Sequence, residues 1–366
     1  MEVLRLYPDL PVRDVIGNEH IAFVPTSSQR ISGMPHTVGY RKLARRFRDV
    51  RGLRPPVGFL AANTQTVRFD KGAEIAFRNI VAVSTITRAN LLSGISVFGL
   101  LPVHWSDYFR PFVYAFTDVE NEDQVGGQTP SQLGIDDAST FRPVTNPDLA
   151  PLSEFGVRNV DQVLYQALES EWIACFTKGA PDEKTDAQDR LFRSLEMAFI
   201  AAGMPYDSEG TVHDYGTRLA LWVSAMEILV NANGSEKKKL KGLLGTIKTG
   251  RPAHDRVFGM VDAKGTTVQG NLFQHLLMRV YDTRNDFLHG NKVSAESLCY
   301  WADGVGAHRL SFAASLIYRL VLLTVLEVDP FTSQETNIYG EDLDRTKWSK
   351  WFEAVKRPEQ PGAVKP

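Results

Sequence analysis

Cysteine is nearly absent from this sequence of 366 residues, which contains only 2, Cys175 and Cys299. Two cysteines this far apart make neither a disulfide framework nor a cysteine-based zinc site. The histidines show no metal-ligand spacing, and there is no HExxH motif, glycine-rich phosphate loop or GxSxG elbow. We therefore expect neither a metal nor a cofactor, and a reducing, cytoplasmic environment is the simplest interpretation.

An excess of charge of one sign is also missing, because the formal net charge is −2. The chain as a whole is therefore not attracted to nucleic acid, and any RNA-binding surface has to be a local patch. Hydrophobic residues make up 43% and charged residues 23%, which is typical of a folded soluble protein. The length is sufficient for two domains of ordinary size.

A long uncharged hydrophobic run is lacking as well. The N-terminus, MEVLRLYPDLPVRD, carries a charge every few residues, unlike a signal peptide. The run Leu310–Val328 is long enough to span a bilayer, but Arg319 lies in its middle, where lipid makes a charge costly. A helix buried in a protein core explains this run better, and we expect no membrane association.

Residues 1–150 contain short apolar runs rich in β-branched and aromatic residues and separated by Pro, Gly and Asn, which predicts strands. These runs are His20–Pro25, Val57–Ala62, Ile75–Val83, Ile95–Leu101 and Phe112–Val119. The segment Glu120–Pro151 is rich in turn-forming residues and is interpreted as a loop or linker. We predict a β-rich or mixed recognition domain over 1–150.

Helical periodicity begins near Val157 and predicts six amphipathic helices within residues 151–330. They start near Val157, Asp186, Asp214, Ser235, Asn271 and Ser294. Consecutive amphipathic helices with short links are typical of an up-and-down bundle. The predicted fold class is therefore α+β, with a β-rich or mixed domain, an all-α helical bundle and a polar tail over 331–366.

The candidate chemistry lies at the end of the fifth predicted helix, where the sequence reads YDTRNDFLHG. Arg284 and His289 are five positions apart, which is about 140° around an unbroken helix, so they converge only if the helix ends or distorts between them. Cleavage of RNA by its own 2′-hydroxyl needs proton transfers, which suit histidine, and stabilisation of the phosphate charge, which suits arginine. A symmetric dimer would place two such pairs in one cleft.

The spacing by itself is weak evidence, because Arg13–His20 and Arg30–His36 show similar separations. Only Arg284–His289 follows an amphipathic helix, with Asn285 directly after the arginine and Gly290 directly after the histidine. Cations at a helix C-terminus are also favourable for purely structural reasons.

RNDFLHG, residues 284–290, resembles the Arg-polar-x-x-x-His signature of HEPN domains, especially the Apea-like branch. The segment Leu219–Asn231 is similar to a core helix of that branch, with Glu227 at its acidic position. The resemblance covers about residues 186–328 and does not reach residues 1–150.

The resemblance implies a metal-independent endoribonuclease, usually a homodimer formed through the helical domain, in bacterial toxin–antitoxin or anti-phage defence systems. It makes Arg284 the phosphate-binding arginine, Asn285 the polar neighbour that orients the pair and His289 the catalytic histidine. Glu227 would orient Arg284 or anchor the bundle. RNA is the implied substrate, and an antitoxin or a phage-derived trigger is the implied partner. The family also contains members without nuclease activity.

The segment Tyr40–Arg54 carries seven basic residues against one acid and predicts a short basic amphipathic helix. Its candidate RNA-binding residues are Arg41, Lys42, Arg45, Arg46 and Arg48. An equally good interpretation is a solvated helix that pairs with the acidic segment Glu120–Asp123. The run Lys237–Lys239 is interpreted as a solvated face, with RNA contact as the alternative.

A second hypothesis for the whole chain is a non-catalytic scaffold. In that case the HEPN-like bundle would bind RNA, a nucleotide or a protein, and residues 1–150 would carry out the recognition. The two hypotheses differ in whether Arg284 and His289 line one shared polar cleft.

Overall fold

The computed structural model describes most of the chain up to residue 329. The described residues are 2–95, 105–112, 114–116, 124–128, 133–137, 139–146, 152–181, 183–204, 211–231, 233–248, 257–261, 265–293, 298–302 and 306–329. The predicted polar tail, 331–366, lies outside them.

The predicted α+β class is confirmed, with a four-stranded antiparallel sheet near the N-terminus and a mostly helical region after it. The strands of the described residues are β1 (Glu2–Tyr7), β2 (Ile16–Gly17), β3 (Ile21–Pro25), β4 (Gly58–Asn63), β5 (Tyr114–Phe116), β6 (Gln124–Gln128), β7 (Leu133–Asp137), β8 (Phe258–Val261), β9 (Thr267–Gly270), β10 (Cys299–Ala302) and β11 (Gly306–Arg309). The helices are α1 (Thr37–Ala44), α2 (Lys71–Ile95), α3 (Trp105–Tyr108), α4 (Gln162–Phe176), α5 (Asp186–Ala202), α6 (Val212–Val230), α7 (Glu236–Thr246), α8 (Leu272–Leu288) and α9 (Leu310–Val325).

The chain forms two compact units. The first comprises Met1–Ala82 and Val103–Glu183, and the second comprises Val83–Pro102 and Lys184–Pro366. The division falls within α2, and α4 belongs to the first unit. The boundary predicted at residue 150 therefore falls inside the first unit.

The main sheet of the first unit has the strand order β1-β4-β3-β2 and is antiparallel throughout. One of its faces packs on an apolar cluster that includes Val24, Phe59 and Leu43 of α1. Aromatic rings cover the opposite face of the sheet. The ring centroids of Phe23 and Phe77 of α2 are 5.9 Å apart, and those of Phe77 and Trp172 of α4 are 5.7 Å apart. Because both faces are covered, β3 and β4 are continuous apolar runs without polar alternation.

The strand predicted at Ile75–Val83 is wrong, because these residues lie in α2. A helix that is buried on several sides has no polar stripe, so its apolar run resembles that of a buried strand. The indole Nε1 of Trp172 donates a 3.0 Å hydrogen bond to the carbonyl of Ala73 in the same helix. Of the run predicted at Ile95–Leu101, only Ile95 lies within the described residues, as the last residue of α2.

The loop predicted at Glu120–Pro151 contains two strands, so that part of the prediction is wrong. β6 pairs with β5 and β7 in a three-stranded antiparallel sheet. The pair Gly126–Gly127, which belongs to the segment predicted as a loop or linker, lies inside β6. Glycine disfavours strands locally, and here the pairing with neighbouring strands outweighs that preference.

The helix starts predicted near Asp186, Ser235 and Asn271 agree with the observed caps, and the helix predicted from about Asp214 begins two residues earlier, at Val212. Thr185, Thr211 and Asn271 each accept a hydrogen bond from a backbone N–H three residues later, and Ser235 stands at the N-cap of α7. Side chains of this type satisfy N–H groups that the first helical turn leaves unpaired. In the second unit, α6 packs against α5, α7, α8 and α9.

The sixth helix begins later than predicted, because residues 299–302 and 306–309 form the hairpin β10–β11. The helix α9 starts at Leu310, and a second hairpin, β8–β9, precedes α8. The second unit is thus not all-α. Arg319 is buried in α9, and no helix among the described residues combines the length and the apolar character needed to cross a bilayer.

Candidate active site

The helix α8 carries the RNDFLHG motif and is held in place at its N-terminal end. Asn271 accepts a hydrogen bond from the N–H of Gln274 at 3.0 Å, and the Gln274 side chain accepts one from the N–H of Asn271 at 2.8 Å. The apolar stripe that begins at Phe273 is buried, as are Leu277 and Val280. Burial of this stripe determines which face of α8 turns toward solvent at the motif.

The C-terminal end of α8 is a Schellman motif. The N–H of Gly290 bonds to the carbonyl of Phe287 at 3.2 Å, and the N–H of Asn291 bonds to the carbonyl of Asp286 at 2.8 Å. Gly290 has φ 72°, a left-handed conformation that glycine adopts without the penalty of a Cβ. His289 is the C-cap, so α8 is unbroken from Leu272 to Leu288.

Because α8 does not end between Arg284 and His289, the condition for their convergence within one chain is not met. Five positions of regular helix separate the two side chains by about 140° around the axis. Arg284 is half-buried and turned toward α6, whereas His289 is exposed. The described structure contains no hydrogen bond or contact that joins the two.

Arg284 is held by two polar neighbours that the sequence predicted to be near it. Its Nη1 donates to Oδ1 of Asn285 at 3.0 Å, and its Nη2 lies 3.7 Å from Oε2 of Glu227. The Arg284 and Glu227 side chains are 23% and 28% exposed, so the ion pair is partly shielded from water. Each Nη group keeps a second N–H, which leaves two donors for an anion.

Tyr281 lies close to Arg284 and Glu227 and was not predicted as a site residue. It lies one helical turn before Arg284 on α8 and is buried. Burial, reinforced by the negative charge of Glu227, raises the pKa of the Tyr281 hydroxyl well above its usual range. The hydroxyl is therefore a neutral group throughout the physiological pH range. Its sequence signal was obscured, since Tyr281 also fits the apolar stripe of α8.

Lys237 of α7 contacts the same part of α8. Its Nζ lies 3.0 Å from Oδ1 of Asp282 and 5.3 Å from the centroid of the Tyr281 ring. Lys237 was interpreted as part of a solvated face, but its side chain is only 35% exposed. We define the polar cluster as Glu227, Lys237, Tyr281, Asp282 and Arg284.

His289 lies at the end of the bundle where α8 finishes and α6 begins. The ring of Phe287 is 6.1 Å from the ring of His213, close to the start of α6. Leu288 and Val212, at this same end, are 51% and 39% exposed. Among the described residues, the His289 imidazole has no hydrogen-bonding or ionic partner, so it is accessible to an incoming group.

The basic segment forms a shorter helix than predicted, because α1 ends at Ala44. Arg41 donates to the carbonyls of Thr26 and Ser28, both at 3.0 Å, and Arg48 donates to the carbonyls of Arg45 and Phe47, both at 2.8 Å. These two guanidinium groups hold loops together. Lys42 and Arg45 are exposed and Arg46 is half-buried. The acidic segment proposed to pair with them, Glu120–Asp123, lies outside the described residues.

The described residues contain no group of three or more His, Cys, Asp or Glu side chains arranged to hold a metal ion. No protein-family model, curated protein or solved structure matches this chain. The likeness to HEPN domains therefore rests on RNDFLHG and the α6 segment alone, and it stays a prediction.

Proposed function

We propose that this protein is a metal-independent endoribonuclease that acts as a toxin or an anti-phage defence effector. The observation that carries the proposal is that an arginine held in place and a histidine without a partner among the described residues both lie near the end of one helix. Arg284 is fixed by Glu227 and Asn285 and retains two N–H donors, while His289 is exposed and unengaged.

The proposed reaction is transfer of the phosphodiester to the neighbouring 2′-oxygen of RNA. A base removes the 2′-hydroxyl proton, the 2′-O–P bond forms, and the P–O5′ bond breaks as an acid protonates the leaving oxygen. The products are a 2′,3′-cyclic phosphate and a 5′-hydroxyl. His289 supplies the proton transfers, and Arg284 stabilises the charge that develops on the phosphate oxygens.

The active site requires two copies of the chain in this proposal, because Arg284 and His289 leave one helix in different directions. A two-fold axis near the end of α8 would bring the Arg284 of one copy and the His289 of the other to the same phosphate. The exposed side chains of Leu288 and Val212 at this end support an interface there. Each of the two sites of such a dimer would then consist of one Arg284 and one His289 from different copies.

The test of activity uses purified protein and a mixed RNA substrate, with and without EDTA. We expect chelator-resistant cleavage that leaves 2′,3′-cyclic phosphate ends and is lost in Arg284→Ala and in His289→Ala. Arg193→Ala, an exposed arginine on α5 paired only with Asp189, is the matched control and should remain active. In cells, the wild type should arrest growth and His289→Ala should not. Absence of cleavage, together with equal growth of both strains, would refute the proposal.

The test of the shared site mixes the two inactive variants. If Arg284 and His289 act across the interface, random pairing of Arg284→Ala with His289→Ala chains restores one site in half of the dimers, about a quarter of wild-type activity. If each site lies within one chain, the mixture stays inactive. If the two variants carry different affinity tags, recovery of both in one purified complex shows whether the chains have exchanged.

A non-catalytic scaffold is the second candidate, and one observation favours it. The ion pair with Glu227 and the bond to Asn285 already engage both Nη groups of Arg284, as expected for an arginine that only anchors the bundle. In that case Arg284→Ala and Glu227→Gln would lower the free energy of unfolding, while RNA would be bound without cleavage.

A further inference from the structure

A cavity of about 590 Å³ lies in the first unit, whereas the helix that carries the RNDFLHG motif belongs to the second. Its walls are mostly apolar and contain four prolines, Pro8, Pro11, Pro55 and Pro56. Tyr108, Leu53 and Leu152 add further apolar surface. The volume lies in the range of about 300–1,000 Å³ that is typical of pockets for small organic ligands.

The loop from Asp49 to Pro56 forms one wall, and it is pre-organised by its own hydrogen bonds. Oδ1 of Asp49 accepts the N–H groups of Arg51 and Leu53, both at 2.9 Å, and the N–H of Asp49 bonds to the carbonyl of Leu53 at 2.9 Å. Pro55 and Pro56 stiffen the next part of the loop. A ligand would therefore meet a formed wall, which lowers the entropic cost of binding.

The loop also carries apolar side chains that are not buried in the core of the first unit. Val50 is 67% exposed and Leu53 is 56% exposed, and both line the cavity. Apolar residues at the mouth of a cavity with apolar walls favour a ligand with an apolar body.

Charge is distributed unevenly along the cavity. Two acids of the lining, Asp9 and Asp49, are half-buried. Oδ1 of Asp9 accepts the N–H of Asn146 at 2.9 Å, which leaves its other carboxylate oxygen available. At the rim, Arg51 is neutralised by Asp49, with Nη2 and Oδ2 2.9 Å apart. Arg54 is exposed, and among the described residues it has no hydrogen-bonding or ionic partner. The lining therefore presents one half-buried acid, Asp9, that is not paired with a base of the lining, and one exposed base, Arg54, that is not paired with an acid of the described residues.

We propose that this cavity binds a short apolar peptide of two or three residues with free termini, its ammonium group on Asp9 and its carboxylate on Arg54. The extended backbone of such a peptide spans about 7–10 Å, and its side chains would lie against the proline and leucine walls. A nucleoside phosphate fits less well, because its neutral base offers no positive charge to Asp9. This site is independent of the proposed nuclease.

The carboxyl of Asp9 has a raised pKa because of its burial, with the nearby charge of Asp107 adding to the effect and the Asn146 N–H and the charge of Arg110 opposing it. A buried carboxylate of this kind gains more from a bound ammonium group than an exposed one does. Asp9 is thus the position at which ligand charge matters most.

The experiment is calorimetric titration of the full chain with leucyl-leucine, N-acetyl-leucyl-leucine and leucyl-leucine amide. We expect the free dipeptide to bind the wild type, with N-acetylation weakening it about tenfold or more. Amidation should weaken binding about threefold, because Arg54 is exposed to solvent. Asp9→Asn keeps an oxygen that accepts the N–H of Asn146. In this variant the free and acetylated dipeptides should bind equally well, while amidation should still weaken binding. In Arg54→Gln the free and amidated dipeptides should bind equally well, while acetylation should still weaken binding.

The matched controls are Asp14→Asn and Arg158→Gln, an exposed acid and an exposed arginine of the same unit that do not line the cavity. Both should bind like the wild type. The proposal is overturned if leucyl-leucine does not bind, if acetylation has the same effect in the wild type and in Asp9→Asn, or if a nucleoside monophosphate binds more tightly. Should Asp9→Asn fail to fold, the three ligands on the wild type still decide, since equal affinity for the free and acetylated dipeptides overturns it.

Discussion

Helix α6 packs closely against Phe287 of α8 at Gly216, and this contact leads to a quantitative prediction for Gly216→Ala. A Cβ at this position would lie 2.2 Å from Cδ2 and 2.4 Å from Cγ of Phe287. Normal carbon–carbon contact begins near 3.5 Å, so the ring would have to retreat by about 1.3 Å. Phe287 lies between Arg284 and His289, so this retreat would displace the candidate site.

The magnitude follows from two opposing effects. Overpacking of this kind costs about 1–3 kcal/mol, whereas replacing glycine by alanine inside a helix contributes about 1 kcal/mol of stability. We therefore expect Gly216→Ala to lower the free energy of unfolding by about 0–2 kcal/mol. Gly242→Ala is the matched control, because Gly242 is an exposed position inside α7 where an added Cβ would meet no atom within 4 Å. This control should gain about 1 kcal/mol.

Urea unfolding followed by circular dichroism measures both variants, and the difference between them isolates the cost of the contact with Phe287. We expect that difference to be about 1–3 kcal/mol. Phe287→Leu in the Gly216→Ala background should recover part of it, because a smaller, more adaptable side chain replaces the ring. If Gly216→Ala proves as stabilising as Gly242→Ala, the close packing of α6 on α8 at this point is refuted.

Three further predictions concern other parts of the chain. Burial raises the pKa of Asp9, so the ionised carboxylate destabilises the native state at neutral pH. Asp9→Asn should therefore raise the urea midpoint of unfolding at pH 7. This gain in the midpoint should shrink as the pH falls toward about 4, because the carboxyl then binds a proton in the unfolded state as well. An equal gain at both pH values would contradict this. Tyr281→Phe should raise the free energy of unfolding by about 1 kcal/mol, because the buried hydroxyl makes no hydrogen bond of good geometry within the described residues; a loss of stability would instead indicate a bond to Glu227. Thr185→Ala removes the cap that accepts the N–H of Gln188 at 3.2 Å and should cost about 1 kcal/mol in thermal or urea unfolding, whereas no measurable change would show that α5 does not depend on it.

Local sequence signals predicted the helices of the second unit well because the determinants of a helix end lie within a few residues. Thr185, Thr211 and Asn271 cap the helices that follow them, and Gly290 supplies the left-handed residue that ends α8. The preference of each residue for such a position depends on its own side chain and backbone. These boundaries could therefore be located without any tertiary information.

Elements whose identity depends on distant partners were predicted less well. Ile75–Val83 has the composition of a strand, and only its contacts with Trp172 of α4 and Phe23 of β3 explain why it is a buried helix. The strands β6 and β10 were missed for the opposite reason. Gly126–Gly127 and the glycines around β11 suggest turns or helix breaks, and pairing with a neighbouring strand outweighs that preference.

For the candidate site, too, some features follow from local sequence and others depend on the tertiary structure. The sequence by itself determined that Arg284, Asn285 and His289 stand near the end of one helix, because their spacing and Gly290 are local features. Only the tertiary structure decided that Arg284 turns toward Glu227, that Tyr281 and Lys237 join it, and that His289 lies apart in solvent. The physical reason is that the rotation of α8 depends on which stripe it buries against other helices, and that choice depends on residues far away along the chain.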